Sequence, residues 1–563
     1  MKNLLIVLVI ALAGGTLYYM AQQSGKQGYE PNGALEYVPA DTAVFSGQLH
    51  PFPLRDYLVA TANNYQNPSS IPLDMLETPQ ERFFYALFEQ YTSQLKQPDE
   101  FIKSFGLDNR VEGYFYTLGL IPVMKLQIKE PAAFYGQLDA AEQSSGWSHT
   151  VRKVGELNVR AYELDDESGD IQMLVSDHKG WLTMTLAFAG QDPVTLEQSL
   201  GLKAVENNLT QTTLLKDIVK RHGFLSESVS YINHQTIVAA LTKGEGLMGQ
   251  QLTKLAELSD ASELQEIRTA ECQQEMAGIA ANWPMTVAGL THMSVDERHA
   301  DMDVRTVIES NNSKVMSALQ SLRGFIAPAA SRMGDSVFSV GLGLDSDNLA
   351  SSLNQVWQEM MTPQMQCLPL AAMQSELSQA NPAMLGMFSG MAQGAKGVSV
   401  VVSGFELDEY GEPKSVDAMV SLAVEDPQTL YAMSASFLPQ LAGVQLPADG
   451  SPIDVTDMLG LPPIGKVMLA AKGKHLVLYT GSRSTELANE LGVVDSIKPN
   501  GIMVMTADYK KVFTPLFDVM EAMGEEIPPE IEGMKDANMK VLFDFDVTDK
   551  GLVFDTRMAA KSE

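Results

Sequence analysis

Short runs of alternating apolar residues recur along the chain, each closed by an acidic or polar residue and followed by a stretch with helical spacing. In "LQIKEPAAFYGQL" (residues 126–138), Leu126 and Ile128 alternate with polar positions, Glu130 follows, and Pro131 opens the next segment. Apolar residues at every second position predict a strand with one buried face. An acid followed by Pro at the first helical position predicts a helix start. "LAVEDPQTLYAMS" (422–434) repeats the pattern. Aligning Pro131 with Pro427 sets Leu126 on Leu422, Ile128 on Val424, Glu130 on Asp426, Phe134 on Leu430 and Tyr135 on Tyr431.

Four more blocks correspond in the same order. "DTAVFSGQLHPFPLRDYL" (41–58) answers "DSVFSVGLGLDSDNLASSL" (335–353), and "TLAFAGQDPVTLEQSLG" (185–201) answers "LVLYTGSRSTELANELG" (476–492). "SVSYINHQTIVAAL" (228–241) answers "GIMVMTADYKKVFTPL" (501–516), a strand that stops at Asn233 or Asp508 and enters a helix. "MTVAGLTHMSVDERHADMDVRT" (285–306) answers "MKVLFDFDVTDKGLVFDTRM" (539–558), each reading as a polar-tipped hairpin. The pattern predicts a tandem duplication with modules at 33–310 and 333–560, joined near "SRMGD" at 331–335.

The offset between matching blocks falls from 294 residues at Asp41 and Asp335 to 254 at Met285 and Met539, so the first module carries an insertion, about 202–284. It includes the charged, helix-like run "LTKLAELSDASELQEIRTAECQQEM" (252–276). Hairpins alternating with amphipathic helices predict an α+β class, with mainly antiparallel sheets and helices packed on one face.

Residues 1–26 read as a signal or membrane anchor with its linker. After Lys2 the chain is uncharged and largely apolar from Leu4 to Ala21, at the lower edge of what spans a bilayer core. Tyr18 and Tyr19 suit a membrane interface and are poor cleavage-site residues, which favours an uncleaved anchor in the inner membrane. A cleaved secretory signal is the alternative. Either way the body is expected in the periplasm.

Composition adds limits. With 563 residues, of which 45% are hydrophobic and 19% charged, the chain is globular and long enough for more than one core. A net charge of −31 argues against nucleic acid as a partner, since phosphate recognition needs a basic footprint. The two cysteines, Cys272 and Cys367, lie in neither a C-x-x-C motif nor a zinc pattern; in an oxidising compartment such a pair reads as a disulfide. That bridge would staple one module to the other.

Chemical motifs are sparse. "GLPPIGK" (460–466) matches a phosphate-loop spacing, but Val467 replaces the magnesium-binding hydroxyl and Pro462 and Pro463 remove N–H donors from the cradle. "GEGLMG" (244–249) is explained by a glycine turn before a helix, so no nucleotide is expected. There is no G-x-S-x-G elbow and no H-E-x-x-H pair. His292 and His299 fall on opposite arms of one hairpin, where a metal would need a third ligand such as Asp301; surface histidines are the simpler reading. "ELDDESGD" (163–170) reads as a solvated hairpin tip without EF-hand spacing. No catalytic residue, cofactor or metal site is assigned.

Methionine is unusually frequent, 31 of 563 residues, and concentrates in 359–394 as Met360, Met361, Met365, Met373, Met384, Met387 and Met391. An adaptable core under two helices is one reading. A pliable face for a partner or an apolar ligand is a second. Copper(I) binding, on the M-x-x-M-x-x-x-M spacing at 384–391, is a third, although no His lies in the stretch.

"EYVPADTAVFSGQL" after the apolar segment, with the cysteine contexts "TAECQQEM" and "QMQCLPLA", resembles uncharacterised exported proteins of Gram-negative bacteria that share a domain opening on a "PADT" strand. The resemblance implies export and an envelope setting, and carries no activity. The expected function is a non-enzymatic binding or scaffolding role in the envelope, with an envelope protein as partner. The alternatives are capture of a lipid or other apolar ligand, and a hydrolase whose site one sequence does not reveal.

Overall fold

The structure, a computed structural model, describes residues 33–65, 76–164, 171–259, 263–380, 392–435, 444–460, 464–494, 496–524, 527 and 537–561. The chain divides into two compact units, the first ending at Thr306 and the second running from Val307 to Ala559. The division falls inside a strand and upstream of 331–335. Ala329 and Ala330, just before that stretch, are buried in the second unit's core, so this part of the chain is packed structure and no free linker. No described helix is long and apolar enough to cross a membrane; residues 4–21 lie outside the described residues.

The first unit contains β1 (Val44–Gln48), β2 (Gly113–Leu118), β3 (Ile121–Gln127), β4 (Thr150–Val154), β5 (Leu157–Glu163), β6 (Ile171–His178), β7 (Trp181–Phe188), β8 (Ser228–Asn233), β9 (Met285–Asp296) and β10 (His299–Glu309). Their spatial order is β4-β5-β6-β7-β3-β2-β1-β8-β9, antiparallel throughout, with β10 beside β9. The second unit contains β11 (Phe338–Leu342), β12 (Ala395–Leu407), β13 (Pro413–Val424), β14 (Ile453–Asp454), β15 (Met468–Lys472), β16 (His475–Thr480), β17 (Met503–Asp508), β18 (Met539–Thr548) and β19 (Gly551–Lys561). Their order is β14-β15-β16-β13-β12-β11-β17-β18, again antiparallel, and β19 follows β18 across a tight turn.

Helices do not keep to one face of the sheet, contrary to the sequence-based expectation. In β6, Met173 and Val175 pack beneath the helices Pro79–Gln94 and Pro131–Ser145, while Leu174 between them packs on the other side with Leu196 of the helix Pro193–Ser199. In β16, Val477 and Tyr479 join Leu487 and Leu491 of the helix Ser482–Gly492, whereas Leu476 and Leu478 meet the cluster of Tyr431 and Val455. Both strands are apolar at consecutive positions, and a strand of that kind can bury itself only between two layers.

Helix starts follow the acid–Pro reading unevenly. Asp426 accepts hydrogen bonds from the Gln428 and Thr429 N–H groups, both at 3.1 Å, and Asp192 accepts from Thr195 N–H at 3.0 Å. Glu130 makes no such cap before Pro131. Its extra methylene spoils the geometry that favours Asp over Glu at this position.

Residues 202–284, expected as an insertion, contain the helices Leu214–His222, Gly246–Ser259 and Ala270–Asn282 and the short helical turn Glu263–Glu266, besides β8 and the helix His234–Lys243. Gly244 ends the helix His234–Lys243 with φ +71°, and the next helix starts at Gly246. "GEGLMG" therefore joins two helices, where a dinucleotide fingerprint would follow a strand.

Candidate functional site

Three features of the described residues concentrate chemistry. The first is a groove of about 180 Å³ in the first unit, bounded by the β2–β3 turn, the end of β7 and the helix Gly246–Ser259. Its apolar walls are Leu120, Ile121, Phe188, Leu247 and Leu255. Gln251 fixes the helix over the turn, because its Oε1 accepts from Leu120 N–H at 2.6 Å and its Nε2 donates to Leu118 O at 3.4 Å. Polar groups gather at one end. Gln191 Oε1 accepts from Phe188 N–H at 3.1 Å, which sets the orientation of the amide, and its Nε2 is buried with no acceptor among the described residues. Lys254 Nζ donates to the Gly190 carbonyl. Asp192 also lines the groove, with Oδ2 accepting from Thr195 N–H at 3.0 Å and Thr195 Oγ1 at 3.1 Å.

The second feature is a buried amine. Lys125, on β3, is 2% exposed, and its Nζ donates to Thr183 Oγ1 at 2.9 Å. The ring centroid of Tyr37 lies 5.3 Å away. Gly201, at φ +77°, approaches so closely that a Cβ there would lie 2.9 Å from Nζ, so a side chain at this strained position would displace the amine. Burial disfavours the ammonium and pushes Lys125 down to about 7. On the same sheet, Tyr116 and Tyr231 bury hydroxyls that find no partner among the described residues, and burial pushes both upward. Lys125 does not line the groove.

The strand registers give this amine a comparison within the chain. Across the first unit Gly47, Tyr114, Lys125 and Thr183 stand opposite one another in turn. Across the second, Gly341, Ser399, Ser421 and Val477 occupy the same succession of strands.

The third feature holds the residues singled out from the sequence. Cys272 and Cys367 form a disulfide and are both buried. Cys367 is the N-cap of the helix Leu368–Leu377, none of whose side chains is fully buried, Pro369, Leu370, Ala371 and Gln374 being half-buried. Leu368 is 70% exposed and Met373 56%, and Met360, at the end of the helix Ser346–Met361, is exposed as well. Met361 and Met365 are half-buried. Gln374 ties the connection together: its Oε1 accepts from Met365 N–H at 3.1 Å, and its Nε2 donates to Met360 O at 2.9 Å and Pro363 O at 3.2 Å. Met384, Met387 and Met391 lie outside the described residues, and with them the copper-like spacing.

Other sequence candidates resolve locally. His292 and His299 lie on β9 and β10, where His299 Nδ1 is 3.0 Å from Asp296. Among the described residues no group of three or more His, Cys, Asp or Glu side chains is placed to hold a metal. Gly460 ends the short helix Thr456–Leu459, and Pro462 and Pro463 lie outside the described residues. Most of the acidic tip, 165–170, does too; β5 and β6 on either side of it are antiparallel partners. Sequence reasoning missed Lys125, Gln191 and Lys254, since none belongs to a motif. Comparison with protein-family models, with curated proteins and with solved structures gave no match.

Proposed function

We propose that the chain is an exported, inner-membrane-anchored envelope protein, built from two homologous α+β modules, that works by binding a protein partner. Two observations support the duplication. The strand orders of the two units correspond from β5 to β9 and from β14 to β18, and the five matching sequence blocks fall at corresponding places in those orders. Export is supported by the apolar segment 4–21 and by the Cys272–Cys367 disulfide, which needs an oxidising compartment to persist.

The helix Leu368–Leu377 carries the binding reading. Its sequence "LPLAAMQSEL" is mostly apolar, yet no side chain is fully buried: Leu368, Ala372, Met373 and Leu377 are exposed, and Pro369, Leu370 and Ala371 are half-buried. A helix of this length is marginal in water without tertiary packing. Here the start is tethered by the Cys367 disulfide, and the turn before it is laced by Gln374. An apolar helix held by a covalent bond and backbone hydrogen bonds keeps its surface free for another molecule, and exposed Met and Leu side chains can repack around varied shapes.

A photo-crosslinking amino acid at Met373 of the full chain, irradiated in intact cells, tests this. A discrete protein adduct that disappears with Leu368→Asp supports it. No adduct, or the same adduct from exposed Val151, refutes it.

A further inference from the structure

The groove under the helix Gly246–Ser259 is independent of the surface argued above and has its own chemistry. Its walls are apolar, and beside Asp192 its polar end holds two donors that lack an anionic partner, Gln191 Nε2 and Lys254 Nζ. Gln191 Nε2 is buried without an acceptor, and the orientation that leaves it so is dictated by Phe188 N–H bonding to Oε1. A buried amide donor left unpaired costs stability, and such a vacancy is filled when an acceptor arrives. Lys254 lies over the Gly190 turn with a backbone carbonyl as its hydrogen-bond partner and no carboxylate within ion-pair distance among the described residues. In a chain with 70 acidic and 39 basic residues, a lysine left without an acid at the mouth of an apolar groove is the less expected outcome. The one carboxylate that lines the groove, Asp192, is occupied by Thr195 at the start of the helix Pro193–Ser199.

We infer that this groove binds a single-chain amphiphile, with the alkyl chain between Phe188 and Leu247 and an anionic oxygen head taken by Lys254 and Gln191. Size sets the chain. The volume of about 180 Å³ is below the roughly 300–1,000 Å³ of drug-sized sites, which suits a short stretch of alkyl chain. The head supplies selectivity: an acceptor that meets both donors gains charge-assisted hydrogen bonds that an alcohol of equal length cannot fully make.

The test is calorimetric titration of octanoate into the full chain held in phosphatidylcholine nanodiscs, with the heat of empty discs subtracted. Saturable binding is expected, at least tenfold weaker in Lys254→Met and at least tenfold weaker for octan-1-ol with the wild-type chain. Ala189→Trp, which fills the groove from its rim, removes it. Lys254 is exposed, so its substitution leaves the fold intact and keeps the comparison clean. Absence of saturable octanoate binding, equal affinity in Lys254→Met, or equal affinity for octanol and octanoate overturns the assignment.

Discussion

Replacing Lys125 with Met should stabilise the first unit, and the gain should depend on pH in a defined direction. The folded chain holds the amine at about 7, against 10.5 for an exposed lysine. Between these values the unfolded chain carries a proton that the folded chain has released, so stability rises with pH across this window. Below about 7 both states are protonated, and the full cost of burying the cation remains. At about 1.36 kcal/mol per unit, the interval is on the order of 5 kcal/mol. Losing the hydrogen bond to Thr183 returns about 1 kcal/mol. Lys125→Met is therefore expected to be more stable than wild type by about 4 kcal/mol at pH 6, with the gap closing between pH 7 and 10.5. Urea unfolding at a series of pH values, followed by the fluorescence of Trp147 and Trp181, reads the difference directly. Comparing two chains that differ at one residue cancels the other shifted groups, among them Glu227, raised by burial, and His475, lowered by burial. A variant less stable than wild type at pH 6, or a gap that does not change with pH, would refute the reasoning, because either means that the folded chain stabilises the ammonium.

Further outcomes are expected elsewhere. Asp417 accepts from Arg483 N–H at 2.9 Å, Ser484 N–H at 2.8 Å and Ser484 Oγ at 2.6 Å, so Asp417→Ala should destabilise the second unit by about 2–3 kcal/mol in urea unfolding. Reducing the Cys272–Cys367 bond opens a loop of roughly 95 residues; loop-closure entropy assigns it about 4–5 kcal/mol, seen as a lower urea midpoint together with a mass gain of about two protons. Leu368→Asp should leave the unfolding free energy within about 0.5 kcal/mol of wild type while removing the adduct formed from position 373, since the Leu368 side chain is exposed.

Local junctions were legible in the sequence because their causes are local. The acid–Pro starts at Pro131 and Pro427 and the hairpin of β9 and β10 follow from residues within a turn of one another, whereas the run 252–276 reads as one helical stretch and folds as separate helices ending at Ser259 and starting at Ala270. What a strand faces was not. On "IPVMKLQIKE" the alternation of Leu126 and Ile128 suggests a buried face that excludes Lys125. In the structure Ile121, Val123 and Lys125 are at most 2% exposed, while Met124 and Leu126 are half-buried. The layer over that face comes from Tyr37 and Gly201, distant in sequence, and no pattern along β3 announces it. Remote capping hides for the same reason. Gly481 begins the helix Ser482–Gly492 without a side chain to cap it, and the carboxylate arrives from Asp417, more than sixty residues earlier. Of the methionines, the sequence left both an adaptable core and a pliable face open; in the structure Met360 and Met373 are exposed and Met361 and Met365 half-buried.

The strand registers of the two units also bear on why Lys125 is there. If the amine were needed to build this architecture, a residue of similar reach should stand at the matching succession of strands in the second unit. Ser421 stands there instead, 2% exposed, with Ser399 beside it where the first unit has Tyr114. A small hydroxyl fills that layer without the desolvation cost of a cation, so the frame does not require Lys125. Costs of this size persist in folded proteins where they serve specificity or function. The groove follows the same logic, because the architecture gives its two donors no anion: Gln191 Nε2 finds no acceptor among the described residues, and Lys254 Nζ donates to the Gly190 carbonyl. Chemistry beyond the shared strand order is thus concentrated in the first unit. The second unit carries the exposed helix Leu368–Leu377, and the binding roles proposed for the two units differ in kind.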